Sequence, residues 1–153
     1  MDIKKKEKKI NYFKAACREN GLKITPQRII IYEELISQRL HPSAGEVHEK
    51  IHRRFPNISF DTVNRALNTF TGVGIIKTVE SFDGVKRFDS DPGQHHHLLC
   101  VKCNKIIDFY SKEYDSLSIP VSIKKKHKII GKRVVLEGVC ERCRKKKKEG
   151  RDA

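Results

Sequence analysis

Between Ile10 and Phe70 the apolar residues recur at helical spacing, and beyond Ile75 they fall in short β-branched runs broken by turn residues. Ile10, Phe13, Ala16 and Cys17 share one face of a first helix, Gly21 supplies its stop, and residues 1–9 read as a charged, frayed leader. Cys17 on that stripe reads as a small buried hydrophobe. Thr25-Pro26 predicts a second helix, because a hydroxyl caps it and proline suits its first position. Ile29, Ile30, Tyr32, Leu35 and Ile36 form its apolar face, with Gln27 and Arg28 in the first turn away from it. Ser43-Ala-Gly-Glu46 matches a capping box, and Val47 and Ile51 are the buried side of a third helix.

Ser59 caps a fourth helix, in which Val63, Ala66, Leu67 and Phe70 fall at i, i+3, i+4 and i+7. Its other face carries Thr62, Asn64, Arg65, Asn68 and Thr69. A solvated face is more commonly rich in Glu and Lys; these are side chains suited to base edges and phosphates. Ile75 to Phe82, the turn Asp83-Gly84 and Val85 to Phe88 then predict a β-hairpin. Helices followed by a hairpin are the order of a winged helix-turn-helix, with the last helix entering the major groove.

Asp91-Pro92-Gly93 breaks the chain. The reading is α+β: a winged-helix domain over residues 1–90, a hinge at 91–94, and a small metal-stapled α/β domain over 95–153 with a basic C-terminal tail. The second part predicts strands at Leu98–Cys100, Ile106–Phe109, His127–Ile130 and Val134–Glu137, and a short helix or turn around Lys112–Leu117. Its core is small, and a unit of that size usually needs a staple.

Cysteines supply one. Cys100-x-x-Cys103 and Cys140-x-x-Cys143 offer four thiolates, enough to close a tetrahedron around a structural Zn(II). The long span between the pairs requires a folded segment in between, and redox C-x-x-C pairs are the alternative reading. A second set of donors is His41, Asp89, His95, His97 and Asp108. His95 and His97 alternate on an extended segment and so face one way, while His96 faces the other. Imidazoles with carboxylates suit Fe(II), Mn(II) or Zn(II) in a site more labile than four thiolates. By itself His41, before Pro42, is more often a loop residue.

Charge narrows the partner. Lys+Arg number 33 against 19 for Asp+Glu, a formal +14, with a pI near 9.7. Part of the excess sits in the terminal lysine runs, but the balance favours a polyanion, nucleic acid before a membrane surface. No apolar run approaches the ~20 residues that cross a bilayer, and no secretory h-region follows the first lysines. The chain reads as cytoplasmic, where paired cysteines bind metal rather than form disulfides.

Several motifs, in order, resemble the ferric uptake regulator family over nearly all of residues 18–143: Gly21-Leu-Lys-Ile-Thr-Pro-Gln-Arg28, His41-Pro-Ser-Ala44, Thr62-Val-x-Arg65, Arg87-Phe-Asp89, His95-x-His97-x-x-Cys-x-x-Cys103, Ile107-Asp-Phe109 and Gly138-x-Cys140-x-x-Cys143. The resemblance implies a homodimeric repressor that binds a double-stranded DNA operator through its winged helix and dimerises through its second domain. It also implies structural zinc in the four cysteines and a regulatory Fe(II) or Mn(II) held by His41, Asp89, His95, His97 and Asp108. Such a bridging ion would favour the DNA-compatible arrangement of the two domains. Aspartates at 89 and 108 resemble the peroxide-sensing branch, in which peroxide oxidises a ligand histidine, here His41 or His95. The alternative is sensing of iron or another metal by occupancy alone. Lys132 and Gln94 stand where the family's further metal site has histidines, so that site is expected to be missing. Arg28, Thr62, Asn64 and Arg65 become the expected DNA contacts, with Asn64 in place of the family's tyrosine and suited to adenine. No enzymatic activity is expected, and no small molecule other than peroxide as a signal. A zinc hydrolase built on His-x-His would explain neither the helix pattern nor the charge.

Overall fold

The computed structural model describes residues 3–38, 41–79, 81, 83–91 and 93–149, the side chains of 146–149 excepted. It divides into two compact units, Met1–Pro92 and Gly93–Ala153. The first holds four helices, α1 (Ile3–Glu19), α2 (Pro26–Ser37), α3 (Ala44–His52) and α4 (Phe60–Gly72), then a hairpin of β1 (Lys77–Val79) and β2 (Arg87–Asp89).

Local chemistry sets the helix starts. Thr25 Oγ1 accepts from Arg28 N at 3.3 Å, Ser59 Oγ from Thr62 N at 3.2 Å, and Ser43 with Glu46 forms the full reciprocal box. Helix α1 starts at Ile3 rather than at Ile10, so the expected leader is helical from there. Its lysines are good helix formers, and Lys6 reaches Glu33 of α2 at 3.4 Å. Gly21, at φ 66°, is left-handed where α1 ends.

The core of this unit is aromatic. Phe13 stacks on Tyr32 with ring centroids 4.3 Å apart and meets Phe70 edge-on at 5.0 Å. Burial pushes the Tyr32 hydroxyl pKa upward. All three rings are fully buried, among Ile31, Leu35, Val47, Val63 and Leu67. Phe13→Ala should therefore cost about 3–5 kcal/mol of unfolding free energy, read as a lower denaturation midpoint.

The hairpin is shorter than its sequence predicts. Ile75 and Ile76 are buried, but their N–H groups donate to the Phe70 carbonyl at 2.9 and 3.4 Å, closing the end of α4 instead of joining a ladder. Glu80 and Phe82, in the expected strand, lie outside the described residues. The antiparallel register sets Thr78 opposite Phe88. At the turn, Asp83 Oδ1 accepts from Val85 N at 3.0 Å and Gly84 has φ 70°.

In the second unit β3 (His96–Cys100) lies between β4 (Ile106–Phe109), antiparallel to it, and β5 (Val135–Gly138), parallel to it. Between β4 and β5 come α5 (Lys112–Asp115) and α6 (Val121–Lys126); α7 (Glu141–Glu149) follows. The strand expected at His127–Ile130 does not form. Both edges of β3 are already taken, and Ile130 is 93 % exposed. Neither α6 nor α7 was expected; both are lysine-rich and show no apolar stripe that periodicity could detect. Among the described residues no helix is long and apolar enough to cross a membrane.

Candidate functional site

Four thiols converge in the second unit. Cys100 ends β3, Cys103 lies in the turn after it, Cys140 follows β5, and Cys143 sits in the first turn of α7. Their Sγ atoms all lie within 4.8 Å of one another, and Cys103 and Cys140 are 3.8 Å apart. Four sulfurs about 2.3 Å from a zinc ion would stand about 3.8 Å from each other, so the tetrad is close to the size the ion needs. The backbone N–H of Cys140 donates to Cys100 Sγ at 3.3 Å and, as the largest influence, holds that thiol down to about 6. Hydrogen bonds to Cys103 and then Cys140, with burial, push Cys143 up to about 12. Four thiolates packed this closely repel one another, and a dication would offset that repulsion. Cys17, by contrast, is alone in the first unit's core, where burial raises its pKa and leaves it a weak nucleophile.

The second unit also gathers His95, His97 and Asp108. The two imidazoles face each other, Nε2 to Nε2, at 3.1 Å. Asp108 Oδ1, opposite His97 in the β3–β4 register, lies 3.6 Å from His97 Nε2 and 3.9 Å from His95 Nε2. His95 Nδ1 is 2.9 Å from the Gly93 carbonyl. A carbonyl only accepts, so Nδ1 carries the hydrogen and the neutral ring presents an Nε2 lone pair. That is the tautomer a metal ligand needs. In the first unit, His41 and Asp89 are both buried. They are carried by strands of chain that pair, since Phe88 N donates to the Pro42 carbonyl at 3.0 Å and Ser43 bridges Arg87. Asp89 Oδ1 accepts from Asp91 N at 2.8 Å.

His96 faces the other side of β3, as alternation predicts, but it is not an idle residue. It is fully buried, accepts Val134 N on Nδ1 at 3.1 Å, and sets Nε2 3.2 Å from Asp115 of α5. It ties the chain just before β5 to β3 and lies against the end of α5.

The expected DNA contacts lie in the first unit. Arg28, Thr62 and Arg65 line an open cleft of about 550 Å³, together with Lys23, Gln27 and Thr69. Arg28 Nη1 donates to the Lys23 carbonyl at 2.5 Å, which ties the loop before α2 to its first turn. Arg65 pairs with Asp61 one turn back, and Asn64 accepts from Asn68 at 3.3 Å. Lys23 also lines the cleft and is not among the contacts expected from sequence. A positive residue beside the Thr25 cap was the available signal.

Residues 19–137 match the model of the ferric uptake regulator family. The chain belongs to the ferric uptake regulator family. Family members are metal-responsive transcriptional regulators, dimeric DNA-binding proteins rather than enzymes. They have an N-terminal DNA-binding and a C-terminal dimerisation domain. The chain is 35 % identical over 130 residues to the peroxide-responsive repressor PerR of Staphylococcus epidermidis, covering 85 % of this chain and 87 % of that one. It is 32 % identical over 146 residues to the PerR of Staphylococcus aureus strain Mu50, covering 95 % and 99 %. Among solved structures it is similar to the ferric uptake regulator of Helicobacter pylori, described as having three functional metal binding sites: TM-score 0.72, 26 % identity, 91 % of this chain and 93 % of that one. The iron-bound regulator of Francisella tularensis gives a TM-score of 0.67 at 27 % identity, covering 81 % and 96 %. In this uptake-regulator frame, the two donor sets fit metals of different character, one soft and closed, the other of mixed imidazole and carboxylate.

Proposed function

We propose that this protein is a homodimeric, DNA-binding repressor of the cytoplasm that senses peroxide through an exchangeable Fe(II), with Mn(II) as the unreactive substitute. Zinc in Cys100, Cys103, Cys140 and Cys143 staples the second unit, which dimerises. Residues 1–90 bind a double-stranded operator through Arg28, Thr62, Asn64 and Arg65. Residues 91–94 are the hinge, and 95–153 form the dimerising, metal-binding half. His41 and Asp89 from the first unit, with His95, His97 and Asp108 from the second, hold the regulatory ion. Occupancy then sets how the halves are posed for DNA.

The observation that carries this reading is the pair of imidazoles in the second unit. Two Nε2 atoms at 3.1 Å, one fixed as a lone-pair donor and both beside Asp108, are arranged to share a cation. Peroxide as the signal is supported by the aspartates at 89 and 108 and by the two staphylococcal relatives named for that response. Ferrous iron, when bound, supplies the electron that activates peroxide. Dimerisation is supported by apolar side chains that the second unit exposes, among them Tyr110, Val121 and Ile130.

A second reading, sensing of iron or another metal by occupancy alone, draws on the uptake regulators among the similar structures. One experiment separates the two. Fe(II)-loaded protein is exposed to stoichiometric peroxide, then digested and weighed. The expected result is one added oxygen on the peptide bearing His41 or His95, with loss of operator binding, and no change in the Mn(II)-loaded control. An unmodified Fe(II) protein that keeps its operator would favour occupancy sensing.

A further inference from the structure

Arg87 sits on β2, two residues before Asp89 and therefore on the same face of the strand. Its side chain is 19 % exposed and its guanidinium meets three different parts of the first unit. Nη1 donates to the His41 carbonyl at 3.3 Å and to Glu46 Oε2 at 3.2 Å. Nη2 donates to Asp83 Oδ2 in the hairpin turn at 2.9 Å. Glu46 is already committed, since the same Oε2 accepts Ser43 N at 2.7 Å and Ser43 Oγ at 3.0 Å. One planar fork thus joins the loop carrying His41, the start of α3 and the tip of the hairpin. The neighbouring Lys86 Nζ donates to Asn68 Oδ1 on α4 at 2.5 Å. Lys86 and the three residues of β2 therefore link the DNA-reading helix, the hairpin turn and the histidine loop to the candidate ligand carboxylate of Asp89.

We propose that Arg87 is a positioning residue that couples the regulatory metal site to the hairpin and the reading helix. This rests on the functional reading above, in which His41 and Asp89 hold the ion and the winged helix holds DNA. Drawing His41 and Asp89 onto an ion fixes the loop and the strand that Arg87 links. The fork passes that restraint to Asp83 at the hairpin tip, and Lys86 passes it to Asn68. Arginine is required because its donors point in fixed directions to separate acceptors; lysine keeps the charge but is a single point donor. An ion pair with only a stabilising role would lower the melting temperature and leave metal response intact. A coupling role changes the metal response itself.

The test uses the full chain with its zinc, and measures operator affinity with and without Mn(II). Coupling between two sites usually falls at about 5- to 150-fold, and the wild type should gain affinity on that scale. Asp83→Asn, in the hairpin turn and not itself a proposed ligand, should leave Mn(II) affinity of the DNA-free protein within about twofold and bring the gain close to unity. Asp83→Glu should restore most of it. Arg87→Lys should lose the gain and also weaken Mn(II) binding, because the His41 carbonyl loses its donor. A wild-type gain that survives both Asp83→Asn and Arg87→Lys, with only a lower melting temperature, overturns the proposal alone. A wild type with no gain at all overturns the functional reading, and this inference with it.

Discussion

Cys140→Ser will leave the second unit unfolded and the chain monomeric, while the first unit keeps its helices. Among the described residues the second unit's buried aliphatic side chains are two, Leu99 and Ile106; the thiols of Cys100 and Cys140 and the histidines 95 to 97 make up the rest of what it buries. The first unit buries four aromatic rings, Phe13, Tyr32, Phe70 and Phe88, and a full set of aliphatic partners. A structural zinc contributes about 10–16 kcal/mol at neutral pH, more than the whole stability of an ordinary domain at about 5–15 kcal/mol. Cys140 is central to the tetrad, since its sulfur approaches Cys103 and its amide holds Cys100. The readouts are zinc content, sedimentation and amide exchange: no zinc, half the mass, and lost protection across β3, β4 and β5. Cys17→Ser is the control, with zinc and dimer unchanged. A dimeric Cys140→Ser chain with protected strands would show that the unit stands without its staple.

The second large effect is on DNA. Neutralising six to ten phosphates makes affinity fall about 10³- to 10⁵-fold between 50 and 200 mM salt. The cleft between α2 and α4 brings Lys23, Arg28 and Arg65 together, so the operator complex should show that dependence. Arg65→Ala should weaken binding, and the salt slope tells what it touches. A slope smaller by about 1 means a phosphate; an unchanged slope with relaxed sequence preference means a base. DNA would have to draw Arg65 away from Asp61, so Asp61→Asn should tighten binding to any sequence. Affinity indifferent to salt would rule out this basic surface as the interface.

What could be read in the sequence was what depends on near neighbours. The caps at Thr25, Ser43 and Ser59 act within three residues, and the cysteine pairs announce themselves by spacing. The four-residue rhythm of α4 set Val63, Ala66, Leu67 and Phe70 into the core as expected. What depends on distant partners was not legible. His96 finds Val134 across 38 residues, and Arg87 finds the His41 carbonyl across 46; no local pattern marks either. Four strands are expected in the second unit and three form: His127–Ile130 and Val134–Glu137 are both β-branched, and only pairing with β3 selects Val135–Gly138. Helices α6 and α7 stayed hidden because lysine runs carry no apolar rhythm, even though lysine favours a helix.

The thiol tetrad has a consequence for biosynthesis. Its two halves are separated in the message by all of residues 104–139, while the hydrophobic core of the first unit is complete by Phe88. On the ribosome, domains form in order as the chain emerges, so the reader of DNA can be finished before the second knuckle exists. Translation arrested anywhere in that stretch would leave Cys100 and Cys103 without the second pair of thiols, so the first unit could be folded while the staple of the second could not close.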